Sequence, residues 1–116
     1  MRYILLIRSD EKLGDDATPE DWHAVMVAHQ EWTAEVTERG MNPTGDALHP
    51  TAASKTVRFE NNQAITTTDG PFAETKEQLG GFYIIDCESE AEALEMAAKL
   101  PVSAGSVEVR PVMEFD

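Results

Sequence analysis

The sequence predicts an α+β fold of the split βαβ, or ferredoxin-like, kind. Strand-like runs and helix-like stripes alternate in the order strand, helix, hairpin, strand, helix, strand, and both helices are then expected on one face of a sheet. The chain has 116 residues, 41% of them hydrophobic, and that length is typical of one compact domain. We therefore predict a single domain covering residues 1–116.

The first strand and the first helix are predicted near the amino end. The continuous apolar run at residues 3–7 is typical of a strand covered on both faces, and so of a central strand. Thr18 supplies a hydroxyl cap, Pro19 suits the first helical position, and Gly40 is placed to end the helix in a left-handed conformation. The apolar stripe of this helix holds Trp22, Val25, Met26, His29, Trp32 and Val36.

The middle of the chain is predicted to contain a loop and a β-hairpin. Turn formers dominate residues 41–54 and leave room for a short extended piece at 47–49. Residues 56–68 are strand-like on both sides of Asn61-Asn62, a pair that tolerates positive φ. We expect this extra hairpin to stand in the place of the second strand of the split βαβ order, directly before the next turn.

The second half of the chain repeats the pattern of strand, helix and strand. The turn Asp69-Gly70-Pro71-Phe72, called the DGPF loop below, breaks the chain before an apolar strand at 80–85, whose two glycines mark a bulge or a close backbone approach. Ser89 and Glu92 form a capping box for the second helix. Its apolar stripe holds Ala93, Leu94, Ala97 and Ala98. The last strand, 106–112, contains a proline and is expected at an edge or a terminus.

One face of the predicted sheet lacks a cover. The runs 3–7 and 82–85 do not alternate cleanly with polar residues, so they present apolar side chains to the face opposite the helices. A second copy of the chain is the simplest cover. We therefore expect a homodimer, with a higher oligomer left open.

Charge and cysteine content exclude several classes of function. Nine Lys and Arg against 22 Asp and Glu give a net charge of −13, which repels nucleic-acid phosphates and anionic membranes alike. A single cysteine, Cys87, cannot form an internal disulfide, and its acidic neighbours disfavour a reactive thiolate. Without a membrane-length apolar run, we expect a cytoplasmic protein that contacts neither nucleic acid nor membrane directly.

His29 is the sharpest candidate for chemistry. An imidazole on an apolar stripe is desolvated, which lowers its pKa and favours the neutral form that acts as a base. The alternative is a structural histidine that hydrogen-bonds inside the core. His23, His29 and His49 lack metal-ligand spacing, so we predict no metal and no cofactor.

The DGPF loop and the charges after it are the second candidate. A rigid turn followed by Glu74 and Lys76 could present carboxylates and an ammonium group to a cavity. The alternative is that the loop is only a good turn, with Phe72 anchored in the core and the charges solvated.

Residues 69–83, with the opening run 2–7 and the closing run 105–112, resemble the DGPF branch of the YCII-related proteins. The resemblance implies a ferredoxin-like subunit that pairs into a dimeric α/β barrel, with a cavity between sheet and helices. In the YciI-like branch of that family a histidine on the first helix is proposed to face an aspartate near the end of the second. His29 matches the histidine, but Leu100 stands at the aspartate position, so we expect Asp69 or Glu74 to supply the carboxylate.

The leading hypothesis is a protein that binds a small apolar or aromatic organic molecule in that cavity. His29 and Asp69 are its predicted acid-base residues, and whether it is an enzyme is left open. The ligand-binding residues are predicted to be Trp32, Phe72, Glu74, Lys76 and Tyr83. The resemblance also implies an alternative, a non-catalytic regulatory or interaction module associated with an extracytoplasmic-function sigma factor system. A third reading makes the DGPF loop a purely structural closure.

Overall fold

The computed structural model describes residues 1–115 and contains six strands and two α-helices in that range. In chain order these are β1 (Arg2–Ser9), α1 (Pro19–Glu38), β2 (Thr44–Ala47), β3 (Lys55–Glu60), β4 (Gln63–Asp69), β5 (Gln78–Asp86), α2 (Glu90–Ala98) and β6 (Ser106–Pro111). Two short 3-10 helices, Glu11–Gly14 and Thr51–Ala53, lie in the loops. Within the described range, neither helix is long and apolar enough to span a membrane.

The main sheet is antiparallel and has the strand order β2-β5-β1-β6. With β2, β5 and β6 counted as second, third and fourth strands, this is the order of a ferredoxin-like fold. The predicted α+β class is confirmed. The run 3–7 lies in a central strand and the last strand lies at an edge, both as expected.

The hairpin does not occupy the place predicted for it. The second strand of the sheet is β2, and β3 pairs only with β4 in a separate two-stranded sheet. Glycine and aspartate give β2 a weak β-propensity, and its four residues pair with β5 through tertiary contact that no local pattern shows. The turn itself is as predicted, because Asn61 and Asn62 have φ of 51° and 65°.

Helix α1 begins and ends where the sequence predicts. Thr18 accepts a hydrogen bond from the Asp21 amide and the Asp21 side chain accepts one from the Thr18 amide, while Gly40 follows the helix with a φ of 78°. Only the second half of the predicted apolar stripe is covered, by burial of Trp32 and Val36. The first half is left open, with Trp22, Val25 and Met26 between 45% and 57% exposed.

Helix α2 buries only half of the apolar stripe that was predicted for it. Ser89 caps the helix by accepting from the Glu92 amide, whereas the Glu92 side chain accepts from Glu88 instead of completing the box. The buried side chains are Ala93, Met96 and Leu100, together with the half-buried Ala97. Steps of three and four residues from Ala93 lead to Met96, Ala97 and Leu100, which form the buried stripe. Leu94 and Ala98 lie outside this stripe and are exposed.

The core lies between the two helices and one face of the main sheet. Its buried members are Tyr3, Leu5, Trp32, Val36, Met41, Ile85, Cys87, Ala93, Met96 and Leu100. Residues one position away from Leu5, such as Ile4 and Leu6, point to the opposite face of the sheet, where no helix packs within the described chain. The molecule is accordingly flat, 46 × 46 × 17 Å.

Candidate functional site

An open groove of about 920 Å³ separates the amino-terminal half of α1 from the main sheet. Trp22, Val25 and Met26 form its wall on the helix, so the exposed part of the apolar stripe faces this space. His29 and Tyr83 lie at its inner end. The volume is in the range of small-molecule sites in proteins.

The groove exists because the sheet beneath it carries very small residues. Gly81 pairs with Ile7 on one side and with Ala47 on the other, so all three share the helix-facing side of the sheet. A Cβ on Gly81 would lie 3.1 Å from the Asp46 carbonyl oxygen, and one on Gly45 would lie only 2.1 Å from the backbone of β5. At Gly45 and Gly81 the backbones thus approach too closely for a larger side chain.

The predicted role of Gly80 and Gly81 is confirmed. The register of β1 with β5 shifts between Ile7 and Arg8, which places a bulge at these glycines, and β2 approaches Gly81 closely. The bulge lies where the groove meets the end of the sheet. It therefore shapes the floor of the site.

His29 is hydrogen-bonded to a tyrosine. The distance from His29 Nδ1 to Tyr83 Oη is 2.8 Å, and the two rings stack with centroids 5.9 Å apart. Tyr83 is held from below by Trp32, whose ring centroid lies 4.5 Å away. The Trp32 indole donates a 2.9 Å hydrogen bond to the Met96 carbonyl oxygen of α2. Packing and hydrogen bonding therefore fix the imidazole against the core.

The environment of His29 favours the neutral form of its imidazole. Burial lowers the pKa of the half-buried imidazole, because desolvation penalises its charged form. With Nδ1 bonded to Tyr83, Nε2 is the ring nitrogen available to a molecule in the groove. In the tautomer whose Nδ1–H donates to the Tyr83 hydroxyl oxygen, the neutral imidazole can accept a proton from a bound molecule through Nε2.

The structure does not bring Asp69 or Glu74 to His29. Asp69 lies at the base of the hairpin, almost fully exposed, where it pairs with Lys55. Among residues 1–115 no carboxylate forms an ion pair or hydrogen bond with His29. Leu100, at the position where the resemblance implies an aspartate in related proteins, is buried in the core. Tyr83 is the polar partner that this chain provides.

The other predicted ligand-binding residues are scattered. Trp32 lies in the core beneath Tyr83, where the residue is only 4% exposed, and it does not line the groove. Phe72 is 79% exposed, so it does not anchor the DGPF loop in the core. Glu74 and Lys76 line a second, smaller groove of about 370 Å³, which adjoins the first one through Asp10 and Glu11.

The DGPF loop closes the open end of the hairpin. Gly70 has a φ of 93°, and its amide donates to the Ser54 carbonyl oxygen. Thr56 Oγ1 donates to the Gly70 carbonyl oxygen, and Arg58 donates to the carbonyl oxygen of Phe72. These contacts tie the loop to the base of the hairpin.

Sequence patterns did not reveal the pairing of His29 with Tyr83 or the floor of the groove. His49 also lines the groove, although its sequence neighbourhood indicates only a loop. The one available signal was the small size of Gly45, Ala47 and Gly81, and it becomes informative only when the strand register is known.

The thiol of Cys87 is buried in the core, away from the groove. Burial, followed by the charge of Glu92, raises the pKa of this thiol, which is the direction that the sequence predicted.

The fold and the site define a small ferredoxin-like α+β protein with a groove between its first helix and its sheet. The chain belongs to the YCII-related family, since the model of the YCII-related domain matches residues 1–116. It is similar to an uncharacterised protein of Rhizobium meliloti (strain 1021), with 41% identity over 115 residues that cover 97% of this chain and 92% of that protein. The assignment to the YCII-related family, made from residues 2–7, 69–83 and 105–112, is confirmed.

Proposed function

We propose that this protein binds a small apolar or aromatic molecule in the groove and acts on it through His29. The observation that carries the proposal is the hydrogen bond between His29 and Tyr83 at the inner end of an apolar space with a floor of small residues. Sites for small molecules are mostly apolar, with a few polar groups that fix the orientation of the ligand. The assignment to the DGPF branch is part of the same proposal and rests on residues 69–72.

The composition of the groove favours an uncharged ligand over an anion. Carboxylates of Asp10, Glu11, Asp16 and Asp21 lie along its rim, and no Lys or Arg lines it within the described residues. An anionic ligand would enter against this negative potential. An aromatic ring would replace water against Trp22 and Met26 and gain the free energy of burying apolar surface.

His29 and Tyr83 would share the acid-base work. His29 Nε2 takes a proton from the bound molecule, and Tyr83 stabilises the ring from the Nδ1 side. A neutral hydroxyl holds an imidazolium less strongly than a carboxylate does, so this pair suits a modest acid-base step.

The binding proposal is tested with the neutral fluorescent probe N-phenyl-1-naphthylamine. Ala47→Leu places a larger side chain on the floor of the groove and should weaken probe binding at least about tenfold, the equivalent of about 1.4 kcal/mol. The matched control is Ala53→Leu, an equal change at an exposed residue that does not line the groove. Equal probe affinity in both variants would contradict the proposal.

The role of His29 is tested separately. His29→Gln should change the pH dependence of probe affinity near the pKa of the imidazole, while His23→Gln, at an exposed site on the same helix, should not. The same pair serves in any later assay of turnover. The sigma-factor alternative stays a prediction, and it requires that His29→Ala leave partner binding unchanged.

A homodimer that pairs through the open face of the main sheet is also part of the proposal. Ile4 and Ile84 lie opposite each other there, as do Leu6 and Phe82. By register, the charged residues on this face are Arg2, Arg8, Arg110, Asp46, Asp86 and Glu108. Three arginines balance three carboxylates, so the face is neutral in a molecule of net charge −13. A second copy meets little repulsion there, and pairing would complete the dimeric barrel that the family resemblance implies.

A further inference from the structure

The β3–β4 hairpin has one apolar face with nothing packed on it in the described chain. Val57 and Phe59 share a face of β3. Opposite them the register of β4 shifts, and Ile65 is the extra residue of a bulge between Thr66, which pairs with Arg58, and Ala64, which pairs with Phe59. Val57, Phe59 and Ile65, called the arm face below, are 48%, 69% and 53% exposed. Isolated two-stranded hairpins are marginally stable in water, so an uncovered arm face is a surface that lacks its partner.

The opposite face of the hairpin is already engaged. Thr56 and Arg58 bond to the DGPF loop, which fixes the hairpin at its base. The hairpin is therefore held in place by one side and presents the arm face outward.

Charge indicates what the partner is. Residues 55–69 contain Lys55, Arg58, Glu60 and Asp69, and so are neutral, whereas the chain as a whole carries −13. For two copies of so acidic a chain, a neutral apolar surface is where contact costs least in repulsion.

We propose that the hairpin is an arm that packs its Val57, Phe59 and Ile65 face on a second copy of this chain, reciprocally across a two-fold axis. This inference rests on the proposed homodimer and adds a second contact to the sheet face. Each arm face offers on the order of 300 Å² of apolar surface. Two arms and the surfaces they meet reach about 1,200 Å², the lower bound of a standard interface, before the sheet face is counted.

The test places the photo-crosslinking residue p-benzoylphenylalanine at position 59 of the full chain, with position 66 as the matched control. Thr66 pairs with Arg58 and so belongs to the other face of the same hairpin. A mixture of ¹⁵N-labelled and unlabelled copies is irradiated, and crosslinked peptides that contain both labels are counted. We expect crosslinks between copies from position 59, at least tenfold more than from position 66.

The outcomes separate the arm from the sheet-face dimer. Sedimentation that shows a dimer, together with no excess of crosslinks from position 59, would overturn the arm and leave the sheet-face pairing standing. Sedimentation at 12.8 kDa at every concentration would overturn both. In addition, Phe59→Thr should raise the dimer dissociation constant about tenfold or more, because each copy loses a buried ring, and Thr66→Ser should not change it. An unchanged constant in Phe59→Thr contradicts the arm.

Discussion

The hydrogen bond between His29 and Tyr83 predicts a measurable coupling energy between the two side chains. Tyr83→Phe removes the hydroxyl group and keeps the ring that stacks on Trp32, so packing is conserved. A neutral hydrogen bond of 2.8 Å contributes about 0.5–1.5 kcal/mol net to stability. The free energy of unfolding should therefore fall by about 1 kcal/mol, and Tm by about 4 °C for a domain of this size.

A double-mutant cycle isolates that bond. Urea unfolding is measured for the parent protein, Tyr83→Phe, His29→Leu and the double variant, and we expect a coupling energy of at least about 0.5 kcal/mol, as is usual for residues in contact. His29→Leu paired with Tyr3→Phe is the control, since the hydrogen bond joins His29 to Tyr83 and not to Tyr3. A coupling for the first pair no larger than for the control would refute the geometry on which the site rests.

Three further predictions concern charge, core and loop. Because burial lowers the pKa of His29 below its ordinary 6.5, the unfolded chain takes up the proton first as the pH falls. The stabilisation that neutral His29 contributes to the free energy of unfolding is therefore complete above about pH 6.5, and it is lost as the pH falls through the lowered pKa. His29→Gln should reduce this dependence of the free energy of unfolding on pH, measured by urea titration at several pH values. Met96→Ala, at a fully buried site, should cost about 2–5 kcal/mol by urea unfolding, and a cost below 1 kcal/mol would contradict the described core. Asp69→Asn removes an exposed pair with Lys55 and should cost less than about 1 kcal/mol without changing probe affinity; a loss of affinity would return Asp69 to the ligand site.

The elements with strong local signals were predictable from the sequence. Thr18 and Gly40 mark the two ends of α1 because they cap it, and Asn61-Asn62 forms the hairpin turn because it tolerates positive φ. Capping and turn formation each depend on only a few neighbouring residues. The role of β2 was not predictable, because its pairing with β5 is long-range and its residues favour turns. The buried face of α2 was predicted in part. Ala93 and Ala97 pack on the core as expected, but Met96 and Leu100 complete the stripe in place of Leu94 and Ala98.

The candidate site was predicted in part. The apolar stripe of α1 correctly placed His29 beside Trp22 and Met26, and the structure adds that the stripe is left open over a floor of small residues. The partner of His29 was beyond prediction, because Tyr83 lies 54 residues away and meets the imidazole only when β5 enters the sheet beside β1. Tyr83 itself was among the residues predicted to bind a ligand, but not as the partner of His29.

Binding of a small uncharged molecule in the groove beside His29 can be observed residue by residue. The measurement is a set of ¹⁵N imidazole and backbone spectra recorded while N-phenyl-1-naphthylamine is added to the full protein. We predict shifts at His29 Nε2 and at amides of Met26, Ala47 and Gly81, with the hairpin amides unchanged. Binding that leaves the His29 resonances unmoved, or no binding up to the solubility limit of the probe, would contradict the claim.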